Sequence, residues 1–183
     1  MRVLIQKDLF NEKPKVINVK ILKHERSVQL QDMRNAWIET ISGAGGVCPC
    51  CDRWGKIDAR AITETQALTL MWMYEHAGEN WTDMTVAPHW ILRGKTYTTL
   101  KHWGLIEQQD NLTDPTKKHS GIWRVTSAGI EFVFGKEVPK KAFIYNDQIV
   151  GFSEERTTIK GCFGRHFNYE EIMKEEFNWA SIQ

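Results

Sequence analysis

Three helical patterns followed by two strand-like runs lie between Thr63 and Gly135, and no other stretch of the sequence limits the fold as closely. The first pattern, Glu64 to Ala77, repeats apolar residues at intervals of three and four positions, which is typical of an α-helix. These residues are Ala67, Leu68, Met71 and Trp72. Thr63 with Gln66 fits a capping box, and Gly78 fits a C-terminal stop. We therefore predict a helix over residues 64–77.

Two shorter helical patterns follow a polar turn. Val86 to Leu92 predicts a second helix that tolerates Pro88, because the first turn of a helix leaves its N–H groups unpaired anyway. Lys95 to Trp103 predicts a third helix that ends at Gly104. Its apolar positions are Tyr97, Leu100 and Trp103, and its polar positions are Lys95, Thr98, Lys101 and His102. The solvent face of this third helix is therefore expected to be basic and polar.

Two strand-like runs come next, Leu105 to Glu107 and Ile122 to Val125. The loop between them, Asp110 to Gly121, is rich in turn residues, so the two runs predict a hairpin with a long tip. The tip carries Lys117, Lys118 and His119. Thr126 then opens another helical turn, whose apolar residues are Ile130, Phe132 and Val133.

The segments LKHWGLIE and SGIWRVTSAGIEFV resemble the recognition helix, wing and closing helix of winged-helix DNA-binding domains, and the resemblance covers Thr63 to about Gly135. It implies that the third helix and the wing contact duplex DNA, where Arg and Lys bind phosphates and read guanine. The residues expected at the DNA are Arg93, Lys95, Tyr97, Thr98, Lys101, His102, Lys117, Lys118 and Arg124.

A second resemblance is to a group of uncharacterised phage-encoded proteins. They are similar to this chain in a Cys-Pro-x-Cys start, a HWGLIE-like centre and a VYN…GFS hairpin, and the likeness spans roughly Gly46 to Met173. This second resemblance implies no established activity. Together the two resemblances favour a phage-type regulatory protein that binds duplex DNA in the cytoplasm of a host cell.

The competing interpretation is a phage-encoded inhibitor that contacts a host protein of defence or transcription. The net charge of the chain is only +1, so its overall attraction to polyanions is weak. Acidic residues also crowd one predicted helix near the C-terminus, namely Glu170, Glu171, Glu175 and Glu176. The sequence identifies neither a DNA site nor a host target, and it leaves open whether the chain forms a homodimer.

The cysteines predict a structural zinc site. Cys48 and Cys51 have the Cys-x-x-Cys spacing that lets two thiolates reach one tetrahedral ion. Cys162 and His166 form a second pair with ligand spacing, and four protein ligands leave no open position for catalysis. Two alternatives stay open. Cys50 could replace another ligand, or Cys162 could be a buried apolar residue and His166 an ordinary surface residue.

The remaining segments predict an α+β protein arranged around the winged-helix unit of residues 63–135. Residues 1–62 are expected to form a collar of two strands, Val3 to Gln6 and Val16 to Leu22, and a helix over Glu25 to Ile41. In residues 136–183, a hairpin around Asn146-Asp147 and a helix over Tyr169 to Ala180 are expected to pack on the core.

Common active-site patterns are absent from the sequence. It contains no phosphate-cradling glycine loop, nucleophile elbow or His-Glu-x-x-His, and its carboxylates show no paired spacing, so we expect no catalysis. No apolar run reaches the ~20 residues of a membrane-spanning helix, and Met1 to Ile5 is followed at once by Gln6-Lys7-Asp8, unlike a secretion signal. A cytoplasmic protein without a membrane partner is expected.

Overall fold

The structure is a computed structural model that describes residues 30–111, 116, 119–164, 167–174 and 177–182. The two strands predicted for the N-terminal collar lie outside these residues. So do five side chains assigned above to DNA, zinc or protein contact, which are Lys117, Lys118, His166, Glu175 and Glu176.

The described part of the chain combines short helices and short strands. The α-helices are α1 (Leu30–Ser42), α2 (Glu64–Ala77), α3 (His89–Leu92), α4 (Ser127–Val133), α5 (Ile159–Cys162) and α6 (Tyr169–Ile172). The 3-10 helices are η1 (Met84–Val86), η2 (Thr96–Trp103) and η3 (Trp179–Ser181). The strands are β1 (Gly46–Val47), β2 (Trp54–Gly55), β3 (Asp58–Ala61), β4 (Thr82–Asp83), β5 (Ile106–Gln108), β6 (Ile122–Val125), β7 (Val138–Pro139), β8 (Lys141–Tyr145), β9 (Gln148–Phe152) and β10 (Arg156–Thr157). The protein is therefore mixed α+β, as predicted.

Helix α2 forms the middle of the core and has the predicted bounds. Its capping box is present: the Thr63 hydroxyl accepts from the Gln66 N–H, and the Gln66 side chain accepts from the Thr63 N–H at 2.8 Å. Every residue from Gln66 to Met73 is buried. A helix buried through two consecutive turns is covered on all sides, so α2 is more central than its apolar spacing indicated.

A three-stranded antiparallel sheet in the order β4–β6–β5 packs beside α2. The predicted hairpin is confirmed, with Ile106 opposite Val125 and Glu107 opposite Arg124. Its first strand begins one residue later than predicted, because the N–H of Leu105 still donates to the Leu100 carbonyl at 3.3 Å.

Of the predicted second helix, Val86 to Leu92, only α3 (His89–Leu92) forms as an α-helix, and Val86 is the last residue of the preceding η1. The break lies at Ala87, whose backbone is extended at φ −63° and ψ 155°. Ala87 precedes Pro88, and the proline ring disfavours helical backbone in the residue before it. The predicted third helix exists over Thr96–Trp103 but is a 3-10 helix.

A second three-stranded sheet has the order β3–β8–β9. The predicted hairpin between β8 and β9 is confirmed, and its turn residues Asn146 and Asp147 have φ values of 50° and 61°. Two positive φ angles in succession match the twist of a tight antiparallel hairpin. Strand β3, which was not predicted, pairs with β8 and joins the chain before α2 to the chain after α4.

The single helix predicted over Tyr169 to Ala180 is wrong. Helix α6 ends at Ile172, and η3 begins only at Trp179. The ring of Trp179 stacks on Trp90 with centroids 6.3 Å apart, and its N–H donates to the Glu75 carboxylate at 2.6 Å. These contacts hold η3 against α2 and α3. None of the described helices is long and apolar enough to span a membrane.

Candidate functional site

The exposed cations closest to the start of η2 are Arg93 and Lys95. Arg93 follows α3, and Lys95 caps η2 with a left-handed backbone at φ 47°. Both side chains are exposed, and neither forms an ion pair with another described residue. Thr98 lies one turn further along η2 and is half-buried. Arg93 and Lys95 are thus exposed cations at the start of η2, with the half-buried Thr98 beside them.

Tyr97 and His102, by contrast, are not available for DNA contact. Tyr97 is only 6% exposed and packs edge-on against Trp123, with ring centroids 5.7 Å apart. Burial raises the pKa of its phenol. His102 is also only 6% exposed. Their assignment to the DNA-contact surface is therefore corrected, because both side chains are buried.

His102 and Lys101 meet the carboxylate of Asp147 in the turn between β8 and β9. Lys101 Nζ lies 2.7 Å from Asp147 Oδ2, and His102 Nε2 lies 3.3 Å from Oδ1. The hydrogen bond from Lys101 holds the pKa of Asp147 below its usual value. Burial lowers the pKa of His102, although the nearby Asp147 charge opposes this. The cluster therefore links η2 to the β8–β9 turn with Asp147 ionised and His102 favoured in its neutral form.

Asp147 is the residue that sequence reasoning missed. The dipeptide Asn146-Asp147 was interpreted only as a turn, yet its carboxylate pairs with two of the residues assigned to DNA. No sequence pattern joins Asp147 to η2, because the contact depends on how β8 and β9 pack beside that helix.

Arg124 is held within the β5–β6 hairpin. Its Nε donates to the Glu107 carboxylate, and its guanidinium lies 4.5 Å from the ring centroid of Trp81. An arginine over a tryptophan face gains a cation–π attraction in addition to its ion pair. Arg124 is thus a structural residue of the sheet as well as a half-buried cation.

The Cys-x-x-Cys segment forms the tip of a small hairpin between β1 and β2. The N–H of Cys48 donates to the Arg53 carbonyl at 2.8 Å, and the N–H of Asp52 donates to the Cys48 carbonyl at 2.9 Å. Asp52 supplies the positive φ, 57°, that closes the loop. Hydrogen bonds from the backbone N–H groups of Cys50 and Cys51 lower the pKa of the Cys48 thiol. Cys48 therefore loses its proton more readily than an ordinary cysteine does.

Cys162 lies apart from this loop at the end of α5. Its thiol donates to the Thr158 carbonyl at 3.5 Å, and burial raises its pKa. Within the described ranges, no three His, Cys, Asp or Glu side chains are grouped closely enough to hold a metal ion. Cys48, Cys51 and Cys162 are accordingly not brought together, and His166 lies outside those ranges, so the four-ligand site stays a prediction.

Comparison of the chain with protein-family models, curated proteins and solved structures gives no match.

Proposed function

We propose that this chain is a phage-type regulatory protein that binds duplex DNA through η2 and the loop between β5 and β6. The supporting observation is the succession α2, β4, η1, α3, η2, β5, β6, with the strands in the order β4–β6–β5. This succession is similar to that of winged-helix domains, in which the helix before the second strand enters the major groove and the following hairpin flanks it.

The contact surface that we propose is smaller than the sequence indicated. Arg93 and Lys95 are its exposed members, and Thr98 is half-buried beside them. The resemblance adds Lys117 and Lys118 of the wing, which lie outside the described residues. Lys101 belongs to the edge of this surface, since its side chain is 42% exposed despite its ion pair with Asp147. Exposed ion pairs contribute only about 0–1 kcal/mol, so a DNA phosphate can compete with Asp147 for Lys101.

Fluorescence anisotropy with labelled random and genomic duplexes over a range of salt concentrations tests the proposal. We expect Arg93→Ala and Lys95→Ala each to weaken binding and to reduce the slope of log Kobs against log salt concentration by about 0.9 per lost phosphate contact. Lys136→Ala is the matched control, because it removes an exposed lysine that is paired with Glu131 of α4 at 2.5 Å. Equal effects of the three substitutions would contradict the proposal.

The rival function is inhibition of a host protein through protein–protein contact. Four of the residues predicted to contact DNA interact within the chain instead, which favours this rival. Tyr97 and His102 are buried, and Lys101 and Arg124 are paired with carboxylates. A chain that binds no duplex even at low salt would support this rival, and capture of a host protein on immobilised chain would then identify the target.

We also propose a structural zinc ion bound by Cys48 and Cys51, with Cys162 and His166 as the predicted remaining ligands. The support is the tight hairpin loop, which the Cys48 and Asp52 hydrogen bonds close around the two cysteines. Cys162 is the less supported ligand, since its thiol is partly buried against Thr158. Cys50, exposed on the same loop, is the alternative.

Elemental analysis of protein purified without chelators decides the zinc proposal. We expect one zinc per chain, and loss of zinc together with a lower Tm when Cys48→Ser and Cys51→Ser are combined. If zinc persists in a Cys162→Ser, His166→Ala variant but disappears with Cys50→Ser, the ligand set is the alternative one. A zinc content near zero in the unchanged protein would refute both sets.

A further inference from the structure

A polar cavity lies between the cysteine hairpin and the β8–β9 turn, apart from Arg93 and Lys95. One wall is the extended chain of β2 and β3, where side chains at alternate positions lie on the same face. The residues of that wall are Trp54, Lys56, Asp58 and Arg60. The neighbouring strand β8, its turn and η2 complete the lining with Tyr145, Asn146, Asp147 and His102. Ile57, between Lys56 and Asp58 in sequence, faces a separate apolar cavity beside α1. The polar cavity has a volume of about 310 Å³, at the lower end of the range for small-ligand sites.

Trp54 is a large aromatic residue that is 64% exposed at the mouth of this cavity. Its ring packs closely against Gly45, where a Cβ atom would lie only 2.7 Å from Trp54 Cζ2. Gly45 also has a φ of +85°, a conformation that favours glycine. The indole is thus supported by backbone on one side and open elsewhere, which is what a stacking platform for a base requires.

Two cations, Lys56 and Arg60, and two carboxylates, Asp58 and Asp147, line the cavity, and Lys101, which is bound to Asp147, leaves the group with one positive charge in excess. Its two carboxylates are both paired, Asp147 with Lys101 at 2.7 Å and Asp58 with Arg60 at 3.6 Å. Lys56 is exposed and has no ion-pair partner within the described part of the chain. Arg60 is also half exposed, so its weak pair with Asp58 can be exchanged for a phosphate.

We propose that this cavity binds a nucleotide of an unpaired DNA or RNA strand, with a base stacked on Trp54 and the backbone phosphates at Lys56 and Arg60. Exposed aromatic rings beside a basic track are the usual means by which proteins bind single strands. The site goes beyond the proposed function, because it takes single strands and does not use Arg93 or Lys95.

Anisotropy of a labelled oligo-dT of about 12 nucleotides, within the usual range of single-strand sites, tests the stacking contact. Trp54→Ala is expected to weaken binding by about fivefold or more, since base–aromatic stacking contributes about 1–3 kcal/mol per base. Trp54→Phe keeps an aromatic face and is expected to retain most of the affinity. Phe134→Ala removes an equally prominent aromatic residue, 58% exposed and outside the cavity, and is expected to change nothing.

A salt titration of oligo-dT binding measures the phosphate contacts. Lys56→Ala and Arg60→Ala are each expected to reduce the slope of log Kobs against log salt concentration by about 0.7, the value for one phosphate of a single strand. Lys136→Ala, which removes the same charge elsewhere, leaves the slope unchanged. Circular dichroism checks that each variant is folded, and if Trp54→Ala is not, Lys56→Glu on an exposed side chain tests the same site.

The outcomes separate this site from the duplex surface. Loss of oligo-dT binding in the Trp54 variant with unchanged duplex binding supports the site, and parallel titrations with oligo-rU show which strand it prefers. Failure of both oligonucleotides to bind, or equal effects of Trp54→Ala and Phe134→Ala, overturns it. Duplex binding that is lost only in the Lys95 variant bears on the proposed function alone.

Discussion

The imidazole of His102 is buried, whereas the carboxylate beside it, Asp147, is largely exposed. Two effects on the His102 pKa oppose each other. Desolvation of the ring lowers the pKa and is the larger effect, and the negative charge of Asp147 raises it, while Lys101 and Arg60 add to the lowering. His102 is therefore a neutral hydrogen-bonding group of the fold at neutral pH.

We predict that the free energy of unfolding decreases as the pH falls below about 6.5, the ordinary pKa of histidine. Because the folded-state pKa of His102 is lower than this value, the unfolded chain takes up the proton first. The contribution of neutral His102 to the free energy of unfolding is complete above pH 6.5 and is lost as the pH falls toward the folded-state pKa. The limiting slope is about 1.4 kcal/mol per pH unit for one proton.

Urea denaturation at a series of pH values measures this dependence. A His102→Gln variant is expected to show a smaller slope between neutral pH and the range where carboxylates begin to titrate. Identical slopes for the variant and the unchanged chain would mean that His102 does not carry the effect.

For individual residues, the sequence separates surface positions from core positions only in part. Tyr97, Leu100 and Trp103 are three residues apart, so they align along a 3-10 helix, which has three residues per turn. The sequence predicted these positions as apolar and they are buried or half-buried. The burial of His102 was not predictable, since the segment that covers it contributes Asp147 from a distant hairpin.

Among the secondary-structure elements, α2 and η2 are joined by the side chain of Gln66. Its amide accepts from the Thr63 N–H in the capping box. The same amide donates to the Thr96 carbonyl at 3.0 Å and to the Thr99 hydroxyl at 2.6 Å. Gln66 is only 5% exposed, so these hydrogen bonds fix the start of η2 against the start of α2.

Gln66→Glu is predicted to destabilise the protein more than Thr63→Ala does. The glutamate keeps an acceptor for Thr63 but lacks both donors and places a charge in a buried position, at a cost of about 1–3 kcal/mol or more. Loss of the cap in Thr63→Ala costs about 1 kcal/mol. Urea denaturation compares the two variants, and a smaller loss for Gln66→Glu would show that its bonds to η2 contribute little.

Elements fixed by neighbouring residues were predictable, and those fixed by distant contacts were not. Thr63 and Gly78, which mark the two ends of α2, lie directly beside that helix. The β8–β9 hairpin likewise contains its own turn dipeptide, Asn146-Asp147. Strand β3 depends on pairing with β8, far along the chain, and its only apolar residues are the small side chains of Ala59 and Ala61. The C-terminal helix prediction failed because Trp179 is held by Trp90 and Glu75.

Across the whole molecule, one hydrophobic core joins the central segment to the C-terminal one. Ile159 of α5 and Ile172 of α6 belong to the same buried cluster as the residues of α2. Strand β3, before α2, pairs with β8, beyond α4. Boundaries near residues 63 and 135 can be drawn in the sequence, but apolar packing and strand pairing cross both of them.

Ile159→Ala is predicted to lower the stability of the entire chain by about 2–5 kcal/mol, because a fully buried isoleucine leaves a cavity. Val150→Ala, at a position that is 53% exposed, serves as the control and is expected to have a small effect. Tryptophan fluorescence and circular dichroism should report one shared transition in denaturant. Two separate transitions, with only one shifted by Ile159→Ala, would mean that the segments unfold independently.

The turn at Asn146-Asp147 also constrains how chains of this kind can diverge. A left-handed backbone at position 147 restricts the residue to types such as Asp, Asn and Gly, and each of the three allows the same hairpin. Only aspartate neutralises Lys101. A single substitution to asparagine would therefore keep the architecture and return one positive charge to η2, so relatives can differ in how strongly they attract a polyanion without any change in the core.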